Sequence, residues 1–167
     1  MSDMCNNCNN LTSINLNSFD TSEVQYMKGM FNNCENLTTL DIKQFDTRNV
    51  EEMKNMFNGC NKIIEIDLNK FDTSMVNTME CMFSNCSSLK KLNLGSFDIK
   101  AVKSLECLFY NCSSLNSIDL STFEINDNQK LDNMFTACYK LKELIVPKEL
   151  QDKFKTLLPP NSTVALV

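Results

Sequence analysis

Nine cysteines and no histidine in 167 residues set the chemistry open to this chain: thiol redox chemistry, metal binding through sulfur, or plain packing. Six of them, Cys8, Cys34, Cys60, Cys86, Cys112 and Cys138, recur at a spacing of 26 residues. Neighbours one repeat apart could lie about 5 Å apart between Cα atoms, within disulfide reach. A small residue repeated at one buried corner gives the same column, and free cysteine packs as a small hydrophobe. Core packing is the expectation for these six. Cys5 and Cys8 form a C-x-x-C, but zinc needs a second pair or histidines, so no metal is expected. Cys81 and Cys107 occupy equivalent positions opposite the apolar side of adjacent predicted helices, and are expected to be exposed thiols. Helix axes about 8–10 Å apart would hold their Cα atoms beyond the roughly 7 Å limit for bridging. Unpaired exposed thiols fit a reducing compartment more easily than an oxidising one.

Carboxylates and amides make the second candidate set. Asn15, Asp41, Asp67, Asn93 and Asp119, followed by Ile145, fall between paired apolar positions of successive units and form an acidic, amide-rich stripe. One reading is contact with a partner or a cation by Asp41, Asp67 and Asp119; the other is a solvated sheet face. No aromatic interrupts the stripe, so neither sugar nor base stacking is supported. Catalysis has no foothold: there is no Gly-rich phosphate loop, no nucleophile elbow and no Cys/His pair. With a net charge of −5, a phosphate-binding surface is not expected either. No catalytic residue, cofactor or nucleic-acid partner is assigned.

The elements that must position these residues follow from the same period. Phe19, Phe45, Phe71, Phe97 and Phe123 form one column, and Phe31, Phe57, Phe83, Phe109 and Phe135 another; Met27, Met53 and Met79 align, as do Met30, Met56, Met82 and Met134. Apolar pairs two apart, Ile14/Leu16, Leu40/Ile42, Ile66/Leu68, Leu92/Leu94, Ile118/Leu120 and Leu144/Val146, predict six short strands. Val24, Met27, Met30 and Phe31 share one side of a predicted short helix. Asp20, Asp46, Asp72, Asp98 and Glu124 precede that pattern as N-caps. Asn7, Asn33, Gly59, Asn85 and Asn111 end it in the left-handed conformation, and Ala137 predicts a different ending for the last copy. A unit this small cannot bury its own apolar side, so copies must stack into a solenoid. Strands about 4.8 Å apart opposite helices about 8–10 Å apart would curve the stack with the strands on the concave side. Right-handed connections are expected.

Length and composition, 43% hydrophobic and 22% charged, fit one core. No apolar run could span a bilayer, and Met1-Ser2-Asp3-Met4-Cys5 lacks the pattern of a secretion signal. Residues 1–146 are read as the repeat array and 147–167 as a C-terminal capping helix and tail. Leu150, Phe154, Leu157 and Leu158 line one face of the helix, between Pro147 and Pro159-Pro160, and Thr163 to Val167 are expected to add a strand or fold back. The N-terminal end has no polar cap and exposes apolar surface. Two expectations follow: the chain is the C-terminal piece of a longer array, or it forms a homodimer through the uncapped N-terminal end.

The string Leu-x-x-Leu-x-Leu-x-x-Phe-Asp-Thr-Ser-x-Val-x-x-Met-x-x-Met-Phe-x-x-Cys, carried closely by Leu68 to Cys86, resembles the BspA-like leucine-rich repeats, the 26-residue repeat of bacterial surface proteins. The resemblance covers residues 1–146, and Ile145 to Leu150 are similar to the closing segment of such arrays. It implies an α/β leucine-rich-repeat solenoid of about six strand-plus-helix turns, with a parallel concave sheet and a C-terminal cap. It further implies a protein or extracellular-matrix ligand and a place on the cell surface or in a secreted adhesion-type protein. An intracellular interaction scaffold is the alternative, cytoplasmic if Met1 is the native start. The chain departs from the pattern where Cys5 stands in the Phe column, Leu105 and Leu108 replace methionines, and Asn128 replaces the column valine.

Overall fold

The computed structural model describes residues 1–159 and 164–166. Repeats lie over one another in the register that the period dictates. Like side chains meet: the rings of Phe31, Phe57, Phe83, Phe109 and Phe135 form a continuous stack with centroids 5.5–5.9 Å apart. The other phenylalanine column is also buried from Phe45 to Phe123, and only Phe19, at 37% exposure, is open. Cys34, Cys60, Cys86, Cys112 and Cys138 are buried in the same core, as their spacing predicts, but Cys8, the first of the six, is exposed rather than packed in the core. Leu105 and Leu108 fill the methionine sites with no loss of burial.

Strands are short and parallel. β1 (Glu65–Ile66) pairs with β2 (Lys91–Leu92). β3 (Ser117–Asp119) pairs with β4 (Glu143–Ile145). In each pairing partners are 26 residues apart, such as Ile66 with Leu92 and Ile118 with Leu144. The segments around Ile14 and Leu40 do not form regular strands and are joined by the Thr38 N–H donating to the Thr12 carbonyl at 3.0 Å. Equivalent bonds run from Lys90 to Ile64 and from Lys142 to Asn116. Among the described residues none runs from Ile64 to Thr38 or from Asn116 to Lys90, so two seams open on the strand face.

The predicted helices are absent from the repeats, and the reason lies in the backbone. Each repeat holds two left-handed residues four apart: Asp3 and Asn7, Gly29 and Asn33, Asn55 and Gly59, Cys81 and Asn85, Cys107 and Asn111, Asn133 and Ala137. A left-handed residue at every fourth position is incompatible with an α-helix. Tight turns form instead, with N–H groups of Met30, Asn32 and Cys34 donating three residues back to Met27, Gly29 and Phe31. The alternate N–H groups of Met27, Gly29, Phe31 and Asn33 donate to carbonyls of Glu52, Lys54, Met56 and Asn58 in the following repeat, at 2.6–2.9 Å. All bonds of this set point from one repeat to the next. Single parallel bridges link Tyr26, Glu52, Thr78, Ser104 and Lys130 in series. Turns and strands therefore both stack at strand-like spacing, and the helix-based reason for curvature falls away. Ala137, with φ 63, ends its unit as the asparagines do.

The aspartate column caps turns rather than helices. Asp20, Asp46, Asp72 and Asp98 each accept through Oδ1 from the N–H two residues on, at 2.9–3.2 Å. Beside them runs a threonine ladder that the periodicity reading passed over. Buried Thr47 donates to the Asp72 carbonyl at 2.9 Å and accepts from the Asp72 N–H at 2.8 Å; Thr21 and Thr73 repeat the pattern on Asp46 and Asp98. Where Asn128 breaks the valine column, Gln129 turns inward. Its Nε2 donates to the Ile99 and Val102 carbonyls at 2.8 Å each, and its Oε1 accepts from the Asn126 N–H.

The array ends on a short 3-10 turn (Lys148–Leu150) and α1 (Gln151–Leu157), whose Phe154 is fully buried with its ring 6.2 Å from Phe135. β5 (Ala165–Leu166) then pairs in parallel with β4. Of the tail expected to close the stack, Thr163 and Val167 lie outside the described residues, as does Pro160. No helix among the described residues is long and apolar enough to cross a membrane.

Candidate functional site

The stripe residues sit where strands give way to turns, and their chemistry is partly spent there. Asn15, Asp41, Asp67, Asn93 and Asp119 are all exposed. Each accepts through Oδ1 from the backbone N–H two residues on, in Asn17, Lys43, Asn69, Gly95 and Ser121, at 2.8–3.3 Å. Asparagine and aspartate are favoured in such turns because a short side chain can replace a backbone acceptor. One oxygen of each carboxylate thus shapes the chain. Asp67 also pairs with Lys43 at 3.6 Å, and Asn93 donates to Asn69 at 2.7 Å.

Along the strand face runs a groove of about 1100 Å³. Asp41, Asp67, Asn93 and Asp119 line it; Asn15 does not. The structure therefore brings four of the five stripe residues together in one concavity and leaves the fifth outside. Sequence reasoning missed the apolar part of the floor. Ile14 and Leu40 are half-buried there, and Ile64 is 51% exposed. Ile64 precedes β1, at a position where Lys90 and Lys142 stand in later repeats, so its lone apolar character in an otherwise polar column was the available signal. It also borders an open seam, where no backbone bond runs from the Ile64 N–H to the Thr38 carbonyl.

Charge in the groove is unbalanced. Asp41, Glu65, Asp67, Asp119 and Glu143 oppose Lys43 and Lys91, five acids against two bases. Exposed carboxylates of one sign attract cationic groups and repel anionic ones, with screening by salt. Such a floor offers hydrophobic contact at Ile64 and cation pairing at the carboxylates on either side of it. No cluster of three or more His, Cys, Asp or Glu fit to hold a metal is found among the described residues.

The thiols divide by burial. Cys34 and its repeats donate S–H to a carbonyl of the preceding unit, such as Cys60 to Phe31 at 3.3 Å and Cys86 to Phe57 at 3.1 Å. Burial pushes the Cys34 thiol up to about 11 and the Cys138 thiol up to about 12. Cys8 is exposed. Cys81 and Cys107 are half-buried rather than free in solvent, and they interact with each other. The expected separation beyond bridging distance depended on helices that the chain does not form.

Stacked 26-residue units joined edge to edge by backbone hydrogen bonds define a repeat protein. Residues 1–92 and 36–148 match DUF285, a Mycoplasma protein family of unknown function, and the chain belongs to that family. A crystallised leucine-rich repeat protein from Bacteroides ovatus is similar, with 17% identity and a TM-score of 0.26 over 96% of this chain. The chain spans 62% of that protein's length. No curated protein matches.

Proposed function

We propose that this chain is a non-catalytic protein-binding repeat module, and that its strand-face groove holds an extended polypeptide carrying lysine or arginine beside aliphatic residues. The observation that carries the reading is the groove itself, with Ile64 half open on its floor among a surplus of carboxylates. A strand-like segment presents alternate side chains to one face, which suits a floor built from alternate residues of successive repeats. Unbonded backbone groups at the Ile64 seam add acceptor and donor sites for such a segment. The six cysteine positions from Cys8 to Cys138 support a leucine-rich-repeat solenoid of about six turns. The BspA-like motif string supports a place on a bacterial surface or in a secreted adhesion-type protein, with a protein or matrix ligand. Nine unpaired cysteines favour a second reading, an intracellular interaction scaffold.

Synthetic peptides alternating lysine with valine, and matched peptides alternating glutamate with valine, separate the charge and shape terms. Fluorescence anisotropy is expected to show salt-sensitive binding of the lysine series alone. The D67N/D119N/E143Q variant keeps an Oδ1 acceptor at 67 and 119, hence the turns, and is expected to weaken binding at least tenfold. Equal binding of both series, or binding unchanged in that variant, removes the groove as the site.

A further inference from the structure

Cys81 and Cys107 have no evident packing task. They occupy the same position of adjacent repeats, with φ of 56° and 55°, so their Cα–Cβ bonds leave the backbone in parallel. The Cys81 N–H donates to the Glu106 carbonyl at 2.9 Å, which joins the two segments at strand-like spacing. That spacing, about 4.8 Å, lies within the roughly 4.4–6.8 Å between Cα atoms that disulfides span. The same position holds Asp3, Gly29, Asn55 and Asn133 in the other repeats, residue types that tolerate a left-handed backbone. Cysteine is not such a type, so conformation does not explain its presence twice in succession. Both thiols are partly open to solvent and interact with each other.

We propose that Cys81 and Cys107 are a modification site that closes into a reversible cross-repeat disulfide on reaction with a low-molecular-weight disulfide such as oxidised glutathione. The Cys107 thiolate attacks one sulfur of the oxidant, forming a mixed disulfide and expelling one glutathione thiolate. Cys81 then loses its proton and attacks the Cys107 sulfur, closing the protein disulfide and expelling the second thiolate. The protein gives up two electrons and two protons, and the oxidant becomes two thiols. Burial also pushes the Cys107 thiol up, but the neighbouring Cys81 thiol opposes that rise, so Cys107 leads. Burial, then the neighbouring Cys107 and Glu80, push the Cys81 thiol up to about 11, so closure is slow near neutrality and accelerates with rising pH. Parallel Cβ atoms at strand spacing must draw together to bond, and a bond made under such strain is readily reduced.

The test is incubation of the chain with oxidised glutathione at pH 8, followed by intact-mass analysis and non-reducing peptide mapping. The expected product is lighter by two hydrogens and links the Cys81 peptide to the Cys107 peptide, and dithiothreitol reverses it. C81S and C107S are each expected to lose the link and to retain a glutathione adduct on the remaining thiol. Adducts on both thiols of one wild-type chain without a link, a link from either to Cys8, or both thiols unmodified while Cys8 reacts would each overturn the proposal.

Discussion

At the scale of single residues, hydrogen-bonding capacity decides more than polarity. Thr47→Val keeps the shape but leaves the N–H and carbonyl of Asp72 without their partner. Denaturant melts are expected to show a loss of about 1–3 kcal/mol. Gln129→Ala leaves the Val102 carbonyl without its side-chain donor and the Ile99 carbonyl with only the Val102 N–H, and is expected to cost a comparable amount by the same measurement. The turn-capping aspartates respond to acid. Backbone and side-chain hydrogen bonds from Ser22 hold the Asp20 carboxyl below the usual carboxylate range. The Arg48 side chain and N–H do so for Asp46, and the Ser74 hydroxyl and N–H for Asp72. Their folded values lie under the unfolded one, so their contribution is complete above about pH 4–5 and disappears as pH falls through the folded values. Thermal melts from pH 7 to pH 3 are expected to decline on the acid side. The D20N/D46N/D72N variant, which keeps the acceptors, is expected to decline less. Residue identities were largely legible at this scale: the cysteine column predicts the burial of its members from Cys34 on but not the exposure of Cys8, which has no preceding unit over it, whereas Gln129 gave no sign of turning inward except the missing valine beside it.

At the scale of elements, the sequence carried two signals and only one was read. Apolar spacing at Met27, Met30 and Phe31 fits a helix, and that face is indeed buried. The competing signal is a second column of left-handed residue types, Asp3, Gly29, Asn55 and Asn133, four positions ahead of the first. Cys81 and Cys107 interrupt that column and hid it. Local turns with cross-repeat bonds won because they satisfy every second N–H in the neighbouring unit while keeping the same side chains inside. The strands were legible from their paired apolar positions, but the seams between them were not, because backbone bonding between units leaves no mark in side-chain type. Asn85→Ala keeps a left-handed position without a residue suited to it, and also removes the amide that donates to Asn58 and accepts from Asn111. It is expected to lower stability by about 1–2 kcal/mol, and Asn85→Gly, measured alongside, is expected to recover the backbone part of that loss.

For the whole molecule, stability is a sum of units and of the contacts between them. Phe154 closes the stack of rings over Phe135, so Phe154→Ala is expected to cost about 3–5 kcal/mol. Hydrogen exchange should show the loss first in residues 131–146 and last in the central repeats; uniform exchange would contradict a stack that frays from its end. The groove was half legible from one end of the chain to the other, since its acids recur with the period while Ile64 interrupts it. One further property follows from the one-way set of bonds in the turns. Aligned peptide groups add their dipoles: the N–H groups of Gly29, Phe31 and Asn33 and of their repeats all point toward the following unit, whereas those of Thr38, Lys90 and Lys142 on the strand face point toward the preceding one, so the two faces of the stack carry opposed polarity.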